Sequence, residues 1–180
     1  PDKKEDRMLF ARKTMQDFKE DLTAYIRSLK SDVTIFYNAG HINAVSVDAR
    51  DAYTHWELES LPSGQWGYSH FMNTVRFART TGMDYLAHTG KFHTEWGDFH
   101  SFKNKEALEY ECFRMLAYNS KCLIGDQLDP DGKMSEAVYD LIGSVYREVE
   151  KKEPWCKKAK AVTDIAVFTS ECLKEHTGPG

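Results

Sequence analysis

The sequence predicts a mixed α/β protein built on a parallel sheet, and three observations lead to this class. Apolar positions at helical spacing alternate along the chain with short runs of β-branched and aromatic residues. The loops that follow the predicted strands are long and rich in polar and aromatic residues. The connections that precede the strands are short and plain, an asymmetry typical of a TIM barrel or a doubly wound sheet, whose sites lie at the carboxyl ends of the strands.

The first half of the chain is predicted to contain two helices and two strands. Residues 8–29 place apolar side chains near one face of a helix. Residues 33–38 form a β-branched and aromatic run, which predicts a strand, and a second strand is expected at 54–60. A helix is predicted over 69–81, closed by Gly82.

The second half repeats the alternation of strand and helix. A short strand is predicted at 84–89, followed by a long loop and a helix from the capping residue Asn104 to about residue 118. Residues 121–125 predict a fourth strand, and Ser135 is expected to cap a final long helix. The chain thus contains four strand–helix units, the first of which has only a minimal helix.

This number of units determines the predicted domain organisation. A TIM barrel needs eight strands and typically about 250 residues, so residues 1–154 are interpreted as one half of a barrel. A further strand is predicted at 164–169, after a break at Pro154, and residues 155–180 are interpreted as a linker and the start of another α/β domain. We therefore expect the chain to be a fragment of a larger enzyme, with sequence absent at both ends.

Composition argues against several classes of function. The formal net charge of −4 offers no basic surface for nucleic acid. The sequence also lacks a run of about 18 apolar residues, so no membrane span is predicted. Residues 38–41, after the first strand, lack the glycine pattern of a nucleotide-binding loop, so no cofactor is expected. The four cysteines contain no CxxC pair, and Cys112 and Cys122 fall within apolar patterns. Buried structural thiols are the expected role, which fits a reducing, cytoplasmic setting.

Two carboxylates near the end of the second predicted strand are the leading catalytic candidates. Glu57 and Glu59 are two residues apart, so their side chains point to the same side of a strand. Carboxyl groups transfer protons or stabilise an oxocarbenium-like centre in glycoside hydrolysis, and aromatic rings stack on sugars. With His55, Trp56 and Trp66 nearby, the segment predicts a sugar-binding active site. The residues leave open which glutamate would be catalytic, and whether one is a buried structural group.

Further candidates for substrate contact follow the predicted strands. The longest loop, after the third strand, combines ammonium, imidazole, indole and carboxylate groups. Any one of these side chains could instead hold its own loop together, as in an α/β enzyme of another kind. The predicted substrate-binding residues are Asn38, His41, Trp56, Trp66, Lys91, His93, Trp96, Asp98, Asp126 and Gln127.

The remaining histidines carry no pattern of a metal site. His55, His70 and His100 lack the spacing of zinc ligands, so no metal is expected. His88, in the third predicted strand, is interpreted as a histidine whose hydrogen bonds are satisfied inside the barrel.

Several strings of residues resemble known glycoside hydrolases. Trp56-Glu57 followed by Trp66-Gly67-Tyr68 resembles the "WE … WGY" signature of family 29 α-L-fucosidases. Over almost its whole length the chain is similar to a second glycoside-hydrolase-like family, also described as α-L-fucosidases. The strings that carry this second resemblance are 36–41 (FYNAGH), 54–62 (THWELESLP), 90–93 (GKFH), 96–99 (WGDF), 108–112 (LEYEC) and 125–128 (GDQL).

The resemblance implies a fold and a division of roles. It implies a TIM barrel followed by a flavodoxin-like domain, laid out as in family 42 β-galactosidases, with this chain holding barrel strands five to eight. Glu57 matches the glutamate of the WE signature, which is a candidate acid/base in family 29. The nucleophile of that family, an aspartate at the end of strand four, is expected in the N-terminal half of the barrel, outside this chain.

Two functions from different classes follow from these observations. The first is the C-terminal half of an α-L-fucosidase-like glycoside hydrolase, which acts on a carbohydrate substrate and needs the N-terminal half of the barrel. On this hypothesis the isolated chain is inactive. The second is a carbohydrate-binding or self-assembling module without catalysis. A half barrel exposes two strand edges and an apolar interior, so we expect a homo-oligomer.

Overall fold

The computed structural model describes residues 3–168, and a long helix, α1 (Lys4–Leu29), comes first. Within α1 the buried residue is Thr23. Its hydroxyl donates to the carbonyl oxygen of Ala52 at 2.9 Å and lies 2.8 Å from the hydroxyl of Tyr37. The helix is therefore attached to the rest of the fold along one narrow strip.

Three parallel strands and four further helices follow α1. In chain order they are α2 (Ala44–Val47), β1 (Trp56–Glu59), α3 (Ser69–Ala78), β2 (Tyr85–Gly90), α4 (Lys105–Ala117), β3 (Lys121–Gly125) and α5 (Glu136–Cys156), with short 3₁₀ or π turns at 50–52, 62–66 and 79–81. The strands form one sheet in the order β1–β2–β3, and both pairs are parallel. The predicted mixed α/β class with a parallel sheet is confirmed for residues 3–168.

The register of the strands divides their side chains between two faces. Glu57 of β1 pairs with Leu86 of β2, and Glu59 pairs with His88. His88 in turn pairs with Leu123 of β3. Because side chains alternate along a strand, these residues all lie on the same face of the sheet.

The hydrophobic core lies between the opposite face of the sheet and the helices. Trp56 and Leu58 of β1 are buried there with Ala87 of β2 and Val75 of α3. A second cluster, between α4 and α5, contains Leu108, Cys112, Leu116, Val145 and Val149. Each large apolar side chain buried in this way stabilises the fold by about 1.5–3 kcal/mol. The two clusters therefore fix the strands, and with them the starting points of the loops.

Local sequence signals set several of the helix ends. Asn104 precedes α4, and its side-chain oxygen accepts a hydrogen bond from the N–H of Ala107 at 2.8 Å, as predicted. Gly82 ends the second predicted helix in the left-handed conformation with φ of 75°. Ser135 holds the N-cap position of α5, although its side chain makes no capping hydrogen bond.

The predicted first strand, 33–38, is wrong. These residues form no strand, and the polar backbone groups of Ile35 are taken up by Thr54 instead. The N–H of Ile35 donates to the side-chain oxygen of Thr54, and its carbonyl accepts from the N–H of Thr54, both at 2.8 Å. A β-branched run favours extended backbone but becomes a strand only when a neighbouring strand supplies a ladder of hydrogen bonds.

Two predictions near the end of the chain also differ from the structure. Helix α5 continues through Pro154 to Cys156, so the predicted break is wrong; the N–H of Lys157 bonds to the carbonyl of Glu153 at 3.0 Å and closes the helix. The strand predicted at 164–169 does not form over 164–168, whose apolar side chains are exposed. Thr169 lies outside the described residues, and the division into two domains stays a prediction.

Two further properties concern the described part of the chain as a whole. Between residues 3 and 168 no helix combines the length and apolar character needed to cross a membrane. Cys112, Cys122 and Cys156 carry free thiols; Cys112 is buried as predicted, whereas Cys122 is only partly buried. Cys172 lies outside the described residues.

Candidate active site

The face of the sheet that carries Glu57 and Glu59 is the candidate active site. Both side chains leave β1 toward the side of His88, because the parallel register aligns Glu59 with His88. The loops after the three strands all begin at the carboxyl edge of this sheet. Side chains that are far apart in sequence can therefore meet above this face.

Glu57 and His88 form a close, mostly buried pair. Oε1 of Glu57 lies 2.5 Å from Nδ1 of His88, and the side chains are 5% and 16% exposed. This contact holds the carboxylate and fixes the orientation of the imidazole ring. The interpretation of His88 as a satisfied histidine is confirmed for Nδ1, whereas its Nε2 is buried and has no hydrogen-bond partner among residues 3–168.

Glu59 lies beside this pair in a different environment. It is only partly buried. Burial raises the pKa of the Glu59 carboxyl and the charge of Glu57 raises it further, while His88 and a hydrogen bond with Asn38 act in the opposite direction; burial outweighs them. Glu59 therefore keeps its proton to a higher pH than an ordinary glutamate, which is the property required of a general acid.

Trp96 packs directly on the backbone at this end of the sheet, at two positions where only glycine leaves room for the indole ring. A Cβ atom at Gly90 would lie 2.8 Å from the indole of Trp96, and one at Gly125 would lie 2.9 Å from it. The rings of Trp96 and His88 meet edge to face, with centroids 5.1 Å apart. The indole is thus seated directly on β2 and β3, next to the Glu57–His88 pair.

Three buried polar atoms near this contact lack hydrogen-bond partners among the described residues. They are Nε2 of His88, Nε1 of Trp96 and Oδ1 of Asp126. Asp126 directly follows Gly125, on which both His88 and Trp96 pack. Buried polar atoms are satisfied in most folded proteins, so a cluster of exceptions calls for an explanation. All three atoms are enclosed by protein, so a ligand could pair with them only after neighbouring side chains had moved.

Trp66 forms the other side of the candidate site. Its indole ring lies 2.8 Å from where a Cβ atom of Gly40 would be, and it meets the ring of His70 at a centroid distance of 4.7 Å. The ring of His41 lies 5.6 Å from that of His70. Burial, assisted by the neighbouring His41, lowers the pKa of His70 to about 4. His70 is therefore uncharged at neutral pH, and its ring packs against the indole of Trp66.

The structure gives Lys91 and Asp98 contacts within their own loop. Nζ of the buried Lys91 donates to the carbonyl oxygens of Phe99 and Ser101 at 2.8 and 3.1 Å. The carboxylate of Asp98 accepts from the hydroxyl of Thr94 at 2.6 Å and from that of Ser101. These hydrogen bonds close the loop after β2, so they support a structural role for both side chains. Their role in substrate binding stays a prediction.

The other predicted substrate-binding residues lie in three different places. Trp56 is fully buried on the helix side of the sheet, and its Nε1 donates to the hydroxyl of Thr81 at 2.9 Å. His93 and Gln127 are exposed on the loops after β2 and β3. Asn38 is exposed beside Glu59. Trp56 thus points away from Glu57, although the two residues are adjacent in sequence.

A buried ion pair behind the site carries no recognisable sequence signal. Nζ of Lys103 lies 2.7 Å from Oε2 of Glu111 and 3.0 Å from the hydroxyl of Thr89, which itself donates to Glu111 at 2.6 Å. Burial lowers the pKa of Lys103. Because Thr89 follows His88 in β2, this network ties the active-site strand to α4. A lysine in a polar loop reads as exposed, so spacing alone does not predict it.

The residues of this face provide no cluster for metal binding. Over residues 3–168, no group of three or more His, Cys, Asp or Glu side chains is arranged to hold a metal ion.

The fold and this face of the sheet together define the class of protein with which the chain is compared. No protein-family model matches the chain, and no curated protein matches its sequence. Among solved structures, the chain is similar to an α/β glycoside hydrolase. That structure is α-L-fucosidase isoenzyme 2 from Paenibacillus thiaminolyticus, with 44% identical residues and a TM-score of 0.89.

The extent of the match differs between the two proteins. It covers 95% of this chain and 26% of that chain, so this chain spans about a quarter of the fucosidase. The resemblance to α-L-fucosidase-like glycoside hydrolases that the sequence predicts is confirmed. The layout of family 42 β-galactosidases stays a prediction.

Proposed function

We propose that this chain is part of a glycoside hydrolase that cleaves α-L-fucosides, with Glu59 as its general acid/base. The observation that carries the proposal is the environment of Glu59, which combines a raised pKa with partial exposure beside the Glu57–His88 pair. The similarity to an α-L-fucosidase supports the substrate class. It also favours an enzyme over a module that only binds carbohydrate or assembles.

Glu57 acts in this mechanism through its neighbours. Its carboxylate is bonded to His88 and is only 5% exposed, which leaves little room for contact with a substrate. Its negative charge raises the pKa of Glu59 and so helps that group to keep the proton that it donates. Glu57 is therefore a positioning residue, and Glu59 is the residue that touches the glycosidic oxygen.

A second carboxyl group is required to complete the reaction. Glycosidases that retain configuration use two carboxyl groups about 5–5.5 Å apart, one as acid/base and one as nucleophile. Since Glu57 is bonded to His88, we assign the nucleophile to the other half of a TIM barrel, to which this chain contributes the three strands β1 to β3. Residues 1–180 alone are then inactive.

The sugar ring is held above β2 and β3 in this proposal. Trp96 offers an aromatic surface on which the apolar side of a pyranose can stack. The ring of His88 meets that of Trp96 edge to face at a centroid distance of 5.1 Å, so a sugar stacked there would lie beside the Glu57–His88 pair. Asn38, which is hydrogen-bonded with Glu59, would help to orient the acid/base.

The experiment compares Glu59→Gln and Glu57→Gln in the whole protein that contains this chain. With an aryl α-L-fucoside whose leaving group needs protonation, Glu59→Gln is expected to lower kcat/KM about 10²–10⁴-fold. With α-L-fucosyl fluoride, whose leaving group needs no proton, the loss is expected to be much smaller. Glu57→Gln should instead shift the pH profile, because it changes the charge beside Glu59.

The exposed Glu150 on α5 provides a matched control. Glu150→Gln should leave both rates unchanged. Equal losses on the two fucosides in Glu59→Gln would contradict an acid/base role for Glu59. A whole protein that cleaves no fucoside would remove the proposed function itself.

A further inference from the structure

A cleft lies between the loops that follow β1 and β2, beside the candidate active site. Its volume is about 160 Å³, its walls are the indole rings of Trp66 and Trp96, and Gln65 and Glu95 line its rim. Trp96 also packs against His88. The cleft and the Glu57–His88 pair are therefore separated by a single side chain.

The two loops are held together closely at the base of the cleft. A Cβ atom at Gly64 would lie 2.6 Å from the carbonyl oxygen of Thr94, so the two backbones are in direct contact there. The hydroxyl of Ser63 donates to the carbonyl oxygen of Phe92 at 3.4 Å. Each wall is in turn seated on a glycine, since Trp66 packs on Gly40 and Trp96 on Gly125. The cleft is therefore built into the fold.

The side chains around the cleft suit a single neutral sugar ring. Two indole rings provide surfaces for stacking. Nε2 of Gln65 donates to Oε1 of Glu95 over 3.4 Å, a long hydrogen bond between two exposed side chains that sugar hydroxyls can replace. The volume of about 160 Å³ is well below the roughly 300 Å³ at which drug-sized pockets begin, so one ring fills it. The carboxylate of Glu95 disfavours an anionic ligand.

We propose that this cleft binds the sugar on the leaving-group side of the scissile bond, and that this sugar is a neutral pyranose. The inference rests on the proposed function, because it takes the fucose itself to lie at the face of Glu59 and His88. Trp96 then contacts both sugars, one on each side of its ring. Gln65 and Glu95 determine which leaving groups are accepted and take no part in proton transfer.

The first experiment measures binding in the whole protein without catalysis. Tryptophan fluorescence is followed during titration with a neutral methyl galactopyranoside and, separately, with glucuronic acid. Saturable binding of the neutral sugar is expected. Replacing both rim residues, in Gln65→Ala/Glu95→Ala, should weaken it about tenfold, because the hydrogen bonds of both side chains to the sugar are lost. The acid should bind more weakly than the neutral sugar.

The second experiment compares kcat/KM for a neutral fucosyl disaccharide and for α-L-fucosyl fluoride. Fluoride leaves the cleft unfilled, so the rim variant should lose about tenfold on the disaccharide and stay within about twofold on the fluoride. The matched control is Gln16→Ala/Glu20→Ala, which removes the same kind of exposed Gln–Glu hydrogen bond, 2.8 Å long, on α1. This control variant should leave kcat/KM unchanged for both substrates.

The outcomes distinguish this inference from the proposed function. Absence of saturable binding, or equal affinity in the rim variant, overturns the leaving-group site. The leaving-group site is also overturned if the rim variant loses the same fraction of kcat/KM on both substrates, or loses none on either. A protein that cleaves neither substrate contradicts the proposed function, and the binding titration then decides the cleft by itself.

Discussion

At the scale of single residues, Glu57 and Glu59 demonstrate that environment sets chemistry. They lie two positions apart on β1 and face the same side of the sheet. Glu57 is bonded to His88 and buried, whereas Glu59 is partly exposed and has a pKa raised by burial. Two carboxyl groups with such different surroundings can take different roles in one site, one positioning a neighbouring side chain and the other donating a proton.

Replacing Glu59 with Gln is expected to raise the free energy of unfolding at neutral pH. Because the folded-state pKa of Glu59 is raised, the folded protein binds this proton more tightly than the unfolded chain. The resulting stabilisation is present below the ordinary glutamate pKa of 4.5 and is lost as the pH rises through the raised value. Glutamine cannot ionise, so the variant should gain up to about 1 kcal/mol at pH 7, since the group is partly solvated.

Urea unfolding at pH 4 and pH 7 checks this prediction. The gain should be confined to pH 7, because both proteins are uncharged at this position below the ordinary pKa. Glu57→Gln should behave oppositely and lose about 1.5–3 kcal/mol at pH 7, since it weakens the hydrogen bond to His88. Equal losses in Glu59→Gln at both pH values would contradict the raised pKa.

At the scale of secondary-structure elements, buried polar contacts join the loops to the strands behind the site. Lys103, at the end of the loop after β2, is fully buried, with Glu111 of α4 and Thr89 of β2 as its partners. Lys91, at the start of the same loop, bonds to carbonyl oxygens farther along it. These contacts at both ends hold the segment that carries Trp96.

Removing one partner of the buried ion pair should be strongly destabilising. Lys103→Met leaves the carboxylate of Glu111 buried without its cation, so a loss of about 3–5 kcal/mol is expected in chemical denaturation. The double variant Lys103→Met/Glu111→Leu leaves no uncompensated charge and should recover most of that loss. A double variant as unstable as the single one would argue that the pair itself, rather than an orphaned charge, supplies the stability.

The seat of Trp96 on the sheet gives a second prediction at this scale. Gly125→Ala introduces a Cβ atom 2.6 Å from Nε2 of His88 and 2.9 Å from Trp96, so both rings must move. We expect a loss of about 1–3 kcal/mol in stability, together with a shift in tryptophan fluorescence. Gly143→Ala in α5 meets its nearest atom at 3.6 Å, and this control should gain about 0.5–1 kcal/mol. An unchanged fluorescence spectrum in Gly125→Ala would contradict the packing of Trp96 on Gly125.

At the scale of the whole molecule, α1 carries an uncovered apolar stripe. Thr23 faces the fold, but large apolar side chains recur along another side of the helix. They are Met8 (41% exposed), Met15 (52%), Phe18 (51%), Tyr25 (63%) and Leu29 (72%). Their spacing of three, four or seven residues is that of a helix that packs against another helix. In the described residues the sheet also ends at β1 and β3, whose outer edges lack a neighbouring strand.

Residues 1–180 alone are therefore expected to self-associate. Sedimentation velocity over a range of concentrations should detect dimers or larger species. Tyr25→Glu/Leu29→Glu places two charges in the stripe and should weaken association tenfold or more, or about 1.4 kcal/mol. Ala24→Glu, at another exposed position of α1, is the control. A monomer at high concentration would contradict the prediction and would show that the apolar stripe of α1 stays exposed to water without driving association.

The parts of the fold that follow from local signals could be predicted from sequence. The strand at 121–125 has the predicted bounds, and α4 begins after its predicted cap Asn104. The segment 33–38 could not be placed correctly, because its composition favours extended backbone whether or not a partner strand is present. The burial of Lys103 was missed for a similar reason, since its partner Glu111 is supplied by another element.

The sequence by itself determined the alternation of strands and helices, the shared face of Glu57 and Glu59, and the resemblance to fucosidases. These follow from periodicity and from local strings of residues. Only the tertiary structure decided that His88 bonds to Glu57, although 31 residues separate them, and that Trp96 is seated on Gly125. Strand register and loop closure bring such residues together, and the partial burial that results raises the pKa of Glu59.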